Sequence, residues 1–384
     1  MKLNPFMPGR TIDPQFFAGR ESEIKKFKMF YRNVKQGNSL HLAVQGDRGI
    51  GKTSLIRYLE FLAKADKAIV VRLDMDASFD SLNAFAKALL SKIRKEGQRY
   101  SQLFKVSDTF GKLFQDRSVS LDLFGASIEL SKKEQIQSFE LQDKLSEIWL
   151  KMAKNVPAVV IMIDEAEYLE KVEGAFQYIR NVFARLAEEN YCYMLVISGK
   201  LTLFRKIKEI HSPLARFFNP VELGSFNEKE SKEAILKPLH GSEFEMSNAV
   251  INKIIEESEG HPYIIQVYGF YLCENSPKKN IDISVFNANY PIILDSLSQQ
   301  LFSDYYHLAS NAEKNILKLV ANDDKNTIQI VDVAKKMGKT TSGISYLFER
   351  LVEKNSLIKT SRGRYSLFHG LFKQYLKTVY KEHM

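Results

Sequence analysis

"LAVQGDRGIGKTSL" spans Leu42 to Leu55 and joins an apolar run to a glycine-rich turn. The apolar run before Gly46 has the composition of a buried parallel strand. Gly46-Asp47-Arg48-Gly49-Ile50-Gly51-Lys52-Thr53 then fits G-x-x-x-x-G-K-[ST], and Ser54-Leu55 leads into a helical pattern. Glycines let successive backbone N–H groups turn inward on a phosphate. The following helix adds its N-terminal dipole. The loop therefore predicts a phosphate site made by Gly46, Gly49, Ile50, Gly51, Lys52, Thr53 and Ser54. Lys52 supplies a positive charge, and the Thr53 hydroxyl is a Mg²⁺ ligand. Asp47 and Arg48 read as solvent-facing loop residues.

Such a loop works with an acidic strand end, and "PAVVIMIDE" (157–165) supplies one. Its apolar run carries Asp164 to the carboxyl edge of a sheet, where it can hold Mg²⁺ through water. Glu165 stands one residue further on, placed to polarise an attacking water. Glu167 reads as a helix-start acid. A neighbouring Asp-Glu pair marks a hydrolase that carries its own base. No guanine-specifying N-K-x-D follows, so the sequence points to adenine: ATP and ADP with Mg²⁺.

Strand-like runs recur at 39–46, 68–75, 157–165, 191–199 and 219–226, with helical patterns between them. That alternation predicts an α/β fold with a parallel P-loop sheet. "SVSLDLFGASIEL" (118–130) breaks the rhythm by alternating apolar and polar residues around Phe124-Gly125, which predicts a β-hairpin within an insertion at 98–145. From about residue 226 the pattern turns helical. The chain has 384 residues, 45% hydrophobic and 26% charged, as expected of a soluble multidomain protein. No apolar run reaches the ~18 residues that a membrane span needs. "MKLNPFMPGR" lacks the apolar segment of a signal peptide. Cys192 and Cys273 sit in apolar contexts and read as buried thiols. The expectation is a cytoplasmic protein with no membrane partner.

The net charge of +9 is unevenly placed. Residues 308–384 hold 14 Lys+Arg against 7 Asp+Glu, a balance of +7, which leaves +2 for the rest. An excess concentrated at one end predicts a face for nucleic acid. "NAEKNILKLVAND", "TIQIVDVAKKMG" and "KTTSGISYLFERLVEKN" read as three helices, the last with Ile344, Leu347, Leu351 and Val352 on its apolar face. Leu357-Ile358-Lys359 and Arg364-Tyr365-Ser366-Leu367 then flank a Ser361-Arg362-Gly363 turn. Three helices and a basic-tipped hairpin predict a winged helix-turn-helix. Thr340, Thr341 and Ser342 would enter the major groove, and Arg362 and Arg364 would reach phosphates. A protein partner is the alternative use of this domain.

Taken together these stretches resemble AAA+ ATPases, in the branch of origin-recognition initiators and of archaeal-type ATPases related to STAND signalling NTPases. "FFAGRESEIKKF" (16–27) resembles the box that puts Phe17, Gly19 and Arg20 beside the adenine. "VISG" puts Ser198 at the sensor-1 position, which reads the γ-phosphate or the water. "SPLARFFNPVELGSF" (212–226) puts Arg216 at the arginine-finger position, with Arg180 and Arg185 as substitutes. "SEGHPYIIQVYGFYL" (258–272) resembles the lid motif in which Gly260 and Pro262 pack on the base. The lid departs from origin-recognition proteins in offering no sensor-2 arginine at the usual place, which favours the archaeal-type ATPases. The C-terminal unit resembles the winged helix that such ATPases carry.

The resemblance implies an AAA+ core over 1–225, a helical lid and linker over 226–300, and a winged helix over 301–384. It implies a slow, switch-like ATPase that binds duplex DNA and forms a homo-oligomer when ATP is bound. The second reading is a STAND-like signalling or defence ATPase whose winged helix contacts protein.

Overall fold

The structure is a computed structural model that describes residues 4–104, 133–210, 212–276, 279–323 and 327–382. The 118–130 hairpin expectation lies outside these residues. The described flanks of the 98–145 insertion are helical, belonging to Leu82–Phe104 and Lys133–Met152.

Five parallel strands form one sheet: β1 (His41–Gly46), β2 (Ile69–Asp74), β3 (Val159–Asp164), β4 (Tyr193–Gly199) and β5 (Phe218–Leu223). Their order is β2-β3-β4-β1-β5. Every residue of β1, β3 and β4 is buried, which explains their near-continuous apolar sequences. β2 and β5 form the edges, and each carries exposed polar positions. Helices Glu21–Val34, Lys52–Ala65, Leu82–Phe104 and Ala175–Glu188 bury apolar faces beside the sheet. Cys192 and Cys273 are both buried free thiols.

The chain divides into two compact units, Thr11–Gly224 and Met1–Arg10 with Ser225–Met384. This differs from the sequence expectation in two ways. Residues 4–10, expected in the core, join the second unit. There Phe6 is fully buried, and the Asn4 side-chain amide donates to the Phe270 carbonyl at 2.9 Å. Gly269 makes room for that ring, since a Cβ there would lie 2.4 Å from Phe6. The lid and the winged helix, expected as separate domains, also form one unit. Among the described residues no helix is long and apolar enough to cross a membrane.

The C-terminal part contains helices Asn311–Ala321, Ile330–Lys336 and Thr341–Glu353 and the hairpin Leu357–Ser361/Arg364–Leu367. The second helix starts later than its pattern predicts. Ile328-Gln329 is instead a short third strand, paired with Arg364 and Tyr365. A helix not anticipated from sequence, Gly370–Glu382, closes the unit. The recognition-type helix buries Ile344, Leu347, Phe348 and Leu351, with Phe348 in the place expected of Val352.

The buried imidazole of His41 makes stability depend on pH. His41 opens β1, and its Nδ1 accepts from the Leu195 backbone N–H at 3.0 Å, so the side chain extends the ladder to β4. The ring packs on Phe217 with centroids 4.3 Å apart. Burial lowers its pKa from 6.5 to about 3. The folded chain thus keeps His41 neutral where the unfolded chain binds a proton. Stability from this group is complete above pH 6.5 and falls as the pH drops toward 3. Between pH 7 and pH 5 the loss should be about 2 kcal/mol. Urea denaturation at the two pH values should show this loss in the wild type and not in His41→Phe; an equal loss in both would contradict it.

Candidate nucleotide site and winged-helix face

The loop after β1 is shaped by its glycines. A Cβ at Gly46 would lie 2.8 Å from Ile50 Cγ2 and 3.0 Å from the Leu223 carbonyl oxygen. Gly51 has φ +97°, a left-handed backbone that other residues rarely adopt. The helix Lys52–Ala65 begins directly after it. Lys52 folds back over the loop, and its Nζ donates to the carbonyls of Gly46 (2.9 Å) and Asp47 (2.8 Å). Burial lowers its pKa, against the opposing pull of Glu167, Asp164 and Asp47. Thr53 and Ser54 are half-buried in the first helical turn. Ser54 Oγ accepts from the Ile12 N–H at 3.4 Å.

Asp47 does not face solvent as the sequence suggested. It is half-buried, and its Oδ1 has no hydrogen-bond partner among the described residues. Burial raises its pKa, and nearby Lys52 and Arg205 act against that rise. Arg48 is exposed, as expected.

Arg20 and Phe17 stand beside the loop and its helix. Arg20 is 4% exposed and donates from Nη2 to the Ile50 carbonyl at 3.0 Å. Its φ of +63° is unusual for a residue with a side chain. Phe17 stacks on Tyr58 of the loop's helix, with centroids 4.5 Å apart and planes 9° apart.

Asp164 ends β3 and is only 3% exposed. Its Oδ1 accepts from the Glu165 N–H at 3.0 Å and from the Ser198 hydroxyl. Ser198, expected at the sensor-1 position, is fully buried, and its hydroxyl donates to Asp164 at the end of the neighbouring strand. Glu165 is exposed, with φ +55°. Partial burial, then the charges of Asp164, Glu167 and Asp74, raise its pKa. Glu167 begins the 3-10 turn Ala166–Lys171, as its reading implied. It also does something the sequence did not show: Oε1 accepts from the Lys200 N–H at 2.5 Å and ties the end of β4 to the turn after β3.

Arg216 is exposed on the short helix Ser212–Phe217. β5 starts at Phe218 opposite His41, and the phosphate loop lies at the other end of β1, where Gly46 pairs with Leu223. Five residue steps of ~3.3 Å put about 17 Å between those levels. Arg216 is therefore remote from the loop of its own chain. The substitutes are engaged: Arg180 donates to Asn181 at 3.3 Å and Arg185 to Gln142 at 3.4 Å.

Gly260 and Pro262 lie in the second unit. Gly260 has φ +72°, and a Cβ there would lie 2.1 Å from the Phe226 carbonyl oxygen. Pro262 opens the helix Pro262–Glu274. The preceding loop is gripped from the C-terminal helix. His369 Nδ1 accepts from the Leu371 N–H at 3.1 Å, which leaves Nε2–H to donate to the Ser258 carbonyl at 2.9 Å. The Gly370 N–H donates to Glu259 Oε1 at 2.9 Å. Tyr305 and Phe368 pack beside this clasp with centroids 4.4 Å apart.

Thr340, Thr341 and Ser342 are all exposed at the start of the helix Thr341–Glu353. Thr340 caps it by accepting from the Gly343 N–H at 3.2 Å. Arg362 and Arg364 are exposed at the hairpin tip, where Gly363 adopts φ +70°. Three of the basic side chains pair with acids of the same unit. Glu313, fully buried, pairs with Arg350 (3.0 Å) and Lys354 (2.6 Å), and Lys336 pairs with Asp323 (3.2 Å).

A model of the AAA ATPase domain matches residues 17–214, and a domain of unknown function (DUF8462) matches residues 299–376. The chain is similar to an uncharacterized HTH-type transcriptional regulator, MJ0774, of Methanocaldococcus jannaschii. The two are 24% identical over 281 residues, 68% of this chain, and the match spans 64% of that relative's length. Its fold is like that of the Walker-type ATPase PABY2304 of Pyrococcus abyssi, with TM-score 0.68, 17% identity and coverage of 94% and 96% of the two chains. It is also like that of the ORC2 protein of Aeropyrum pernix, solved as ADPNP–ADP complexes, with TM-score 0.62, 11% identity and 99% coverage of each chain. The domain match takes in the phosphate loop, the acidic strand end and most of the sheet, and the chain belongs to the AAA ATPase domain family.

Proposed function

We propose that this protein is an ATP-hydrolysing switch whose nucleotide state sets the grip of its winged helix on duplex DNA. The observation that carries the nucleotide half is Lys52. Its ammonium is drawn over the Gly46 and Asp47 carbonyls in a loop that leaves no space for a Cβ at Gly46. A lysine held this way by neutral acceptors suits exchange onto anionic phosphate. Gly46, Gly49, Ile50, Gly51, Thr53 and Ser54 would complete the cradle, with Phe17 and Arg20 serving the base.

The donor set also fits Mg²⁺, a hard cation that takes oxygen ligands. The Thr53 hydroxyl and the Asp164 carboxylate would hold it, and its charge would offset that of the phosphate oxygens. Glu165 is the base for water. Its raised pKa makes it a better proton acceptor than an ordinary carboxylate. Lys52→Ala should abolish nucleotide binding. Glu165→Gln should still bind ATP while turnover falls by about 10²-fold or more, as expected for loss of a general base. Equilibrium binding and phosphate release measure the two, and wild-type turnover in Glu165→Gln would contradict the assignment.

Arg216 would act on a neighbouring subunit, since the strand register keeps it about 17 Å from the level of its own loop. That makes the active form a homo-oligomer in ATP. Arg216→Ala should keep ATP affinity and lose turnover by about 10³-fold. Mixing it with Glu165→Gln subunits should restore part of the activity. Normal hydrolysis by a strictly monomeric protein would contradict this.

The DNA half rests on the exposed Thr340-Thr341-Ser342 helix start and the Arg362/Arg364 hairpin tip. The clasp of His369 and Gly370 on the Ser258–Glu259 turn supports the coupling. It joins the lid loop to the helix that closes the winged helix. Replacing both Arg362 and Arg364 by alanine should weaken binding to all duplexes alike. It should also flatten log K against log salt by about two units. A wild-type protein that ignores duplex DNA at low salt would favour the signalling reading, with a protein partner on this face.

A further inference from the structure

We propose that the helix Glu21–Val34 carries a second contact for duplex DNA, a stripe of Lys25, Lys28 and Arg32 that takes up backbone phosphates. The inference rests on the DNA reading above and adds a surface which that reading does not use.

Spacing makes the stripe. Positions 25, 28 and 32 are three and four residues apart, so the three side chains leave the helix within an arc of about 60°. All three are exposed. The opposite face buries Phe27, Phe30, Tyr31 and Val34. The helix is also held by polar contacts. Lys26 Nζ donates to the Pro220 carbonyl of β5 at 2.7 Å. At the other end, the Tyr31 hydroxyl and the Lys35 ammonium both donate to Asp66, at 3.0 and 2.8 Å. The stripe is therefore presented on a fixed element.

Its charge is not offset from within the chain. After Glu23 the next Asp or Glu is Asp47, and the interval holds Lys25, Lys26, Lys28, Arg32 and Lys35. Asp66 takes Lys35, whereas Lys25, Lys28 and Arg32 form no ion pair among the described residues. Other surface helices differ. Lys64 pairs with Glu60 (2.6 Å), Lys151 with Glu147 (2.5 Å) and Lys253 with Glu257 (3.0 Å), each four residues away. Four residues from Lys28 stands Arg32 instead, and like charges at that spacing weaken a helix. The helix dipole favours Arg32, which lies in the last turn, but it does not favour Lys25 near the start. An anionic partner would relieve the repulsion.

The partner's chemistry follows from the charges and their pitch. At ~1.5 Å per residue the three cations span about 10.5 Å of helix axis. One strand of a duplex carries a phosphate for about every 3.4 Å of its axis, so the stripe matches about three consecutive phosphates. Met29 is the large apolar side chain exposed on this face, which therefore lacks the apolar cluster that anchors a protein interface or a membrane-bound helix. Lysine and arginine set in this way hold a duplex without reading its sequence.

The test is duplex binding by the full-length chain across a salt series, with Lys25→Gln, Lys28→Gln and Arg32→Gln combined. The triple variant should bind all duplexes more weakly, and log K against log salt should flatten by about two to three units, at ~0.9 per phosphate. Its thermal midpoint should stay the same or rise, because repulsion has been removed, so the loss is not one of folding. Lys25→Arg, Lys28→Arg and Arg32→Lys combined should keep the wild-type slope. Wild-type affinity and slope in the glutamine variant, or a loss confined to one duplex sequence, overturns the proposal. A wild-type protein that ignores duplex DNA at low salt overturns the DNA reading itself, and this inference with it.

Discussion

The site depends on one buried carboxylate. Asp164 is nearly inaccessible at the end of β3, and an unsupported charge there would be costly. Its support comes from two hydrogen bonds to Oδ1, from the Glu165 N–H and the Ser198 hydroxyl. The first helps to hold Glu165 in a left-handed conformation at the strand end. The second binds β3 to β4, so the next residues of β4 emerge beside the phosphate loop. Lys52 lies in the field of the same carboxylate, together with Glu167 and Asp47. Acids and lysine are thus set against each other across three neighbouring strands, an arrangement that a bound polyphosphate and its cation would complete.

The second unit has its own organising constraint. Gly260 cannot carry a side chain, because its Cβ position falls on the Phe226 carbonyl. The turn that contains it is held by His369 and Gly370 from the far end of the chain. The lid and the winged helix are therefore not beads joined by a linker. His369 uses both ring nitrogens, one accepting from the Leu371 N–H and one donating to the Ser258 carbonyl. A displacement of the lid loop would carry the start of the last helix with it.

Much of the core was legible in the sequence because the phosphate loop has one backbone solution and buried parallel strands are nearly all apolar. The five strands lie where those runs fall. The hairpin with its basic tip was also readable, from alternation on both sides of Arg362-Gly363. What escaped is what depends on distant partners. Nothing local in "DEAE" says that Glu167 reaches Lys200, or that Ser198 turns inward to Asp164. Asp47 looked like a loop-surface residue, and only the packing around it makes it half-buried. The role of Phe6 needs Gly269, over 260 positions away. Nor do its neighbours in sequence reveal that Glu313, a helix-capping acid, is the buried partner of Arg350 and Lys354.

If nucleotide and DNA are linked through one chain, the affinity of the wild-type protein for a duplex at fixed low salt depends on whether Mg-ADP, a non-hydrolysable Mg-ATP analogue or no nucleotide is present. Linkage requires the same factor to appear when nucleotide affinity is measured with and without that duplex. Duplex affinity should differ by about fivefold or more between the ATP-like and ADP states, with the same factor in the reciprocal experiment. Identical duplex affinity in all three states would contradict it.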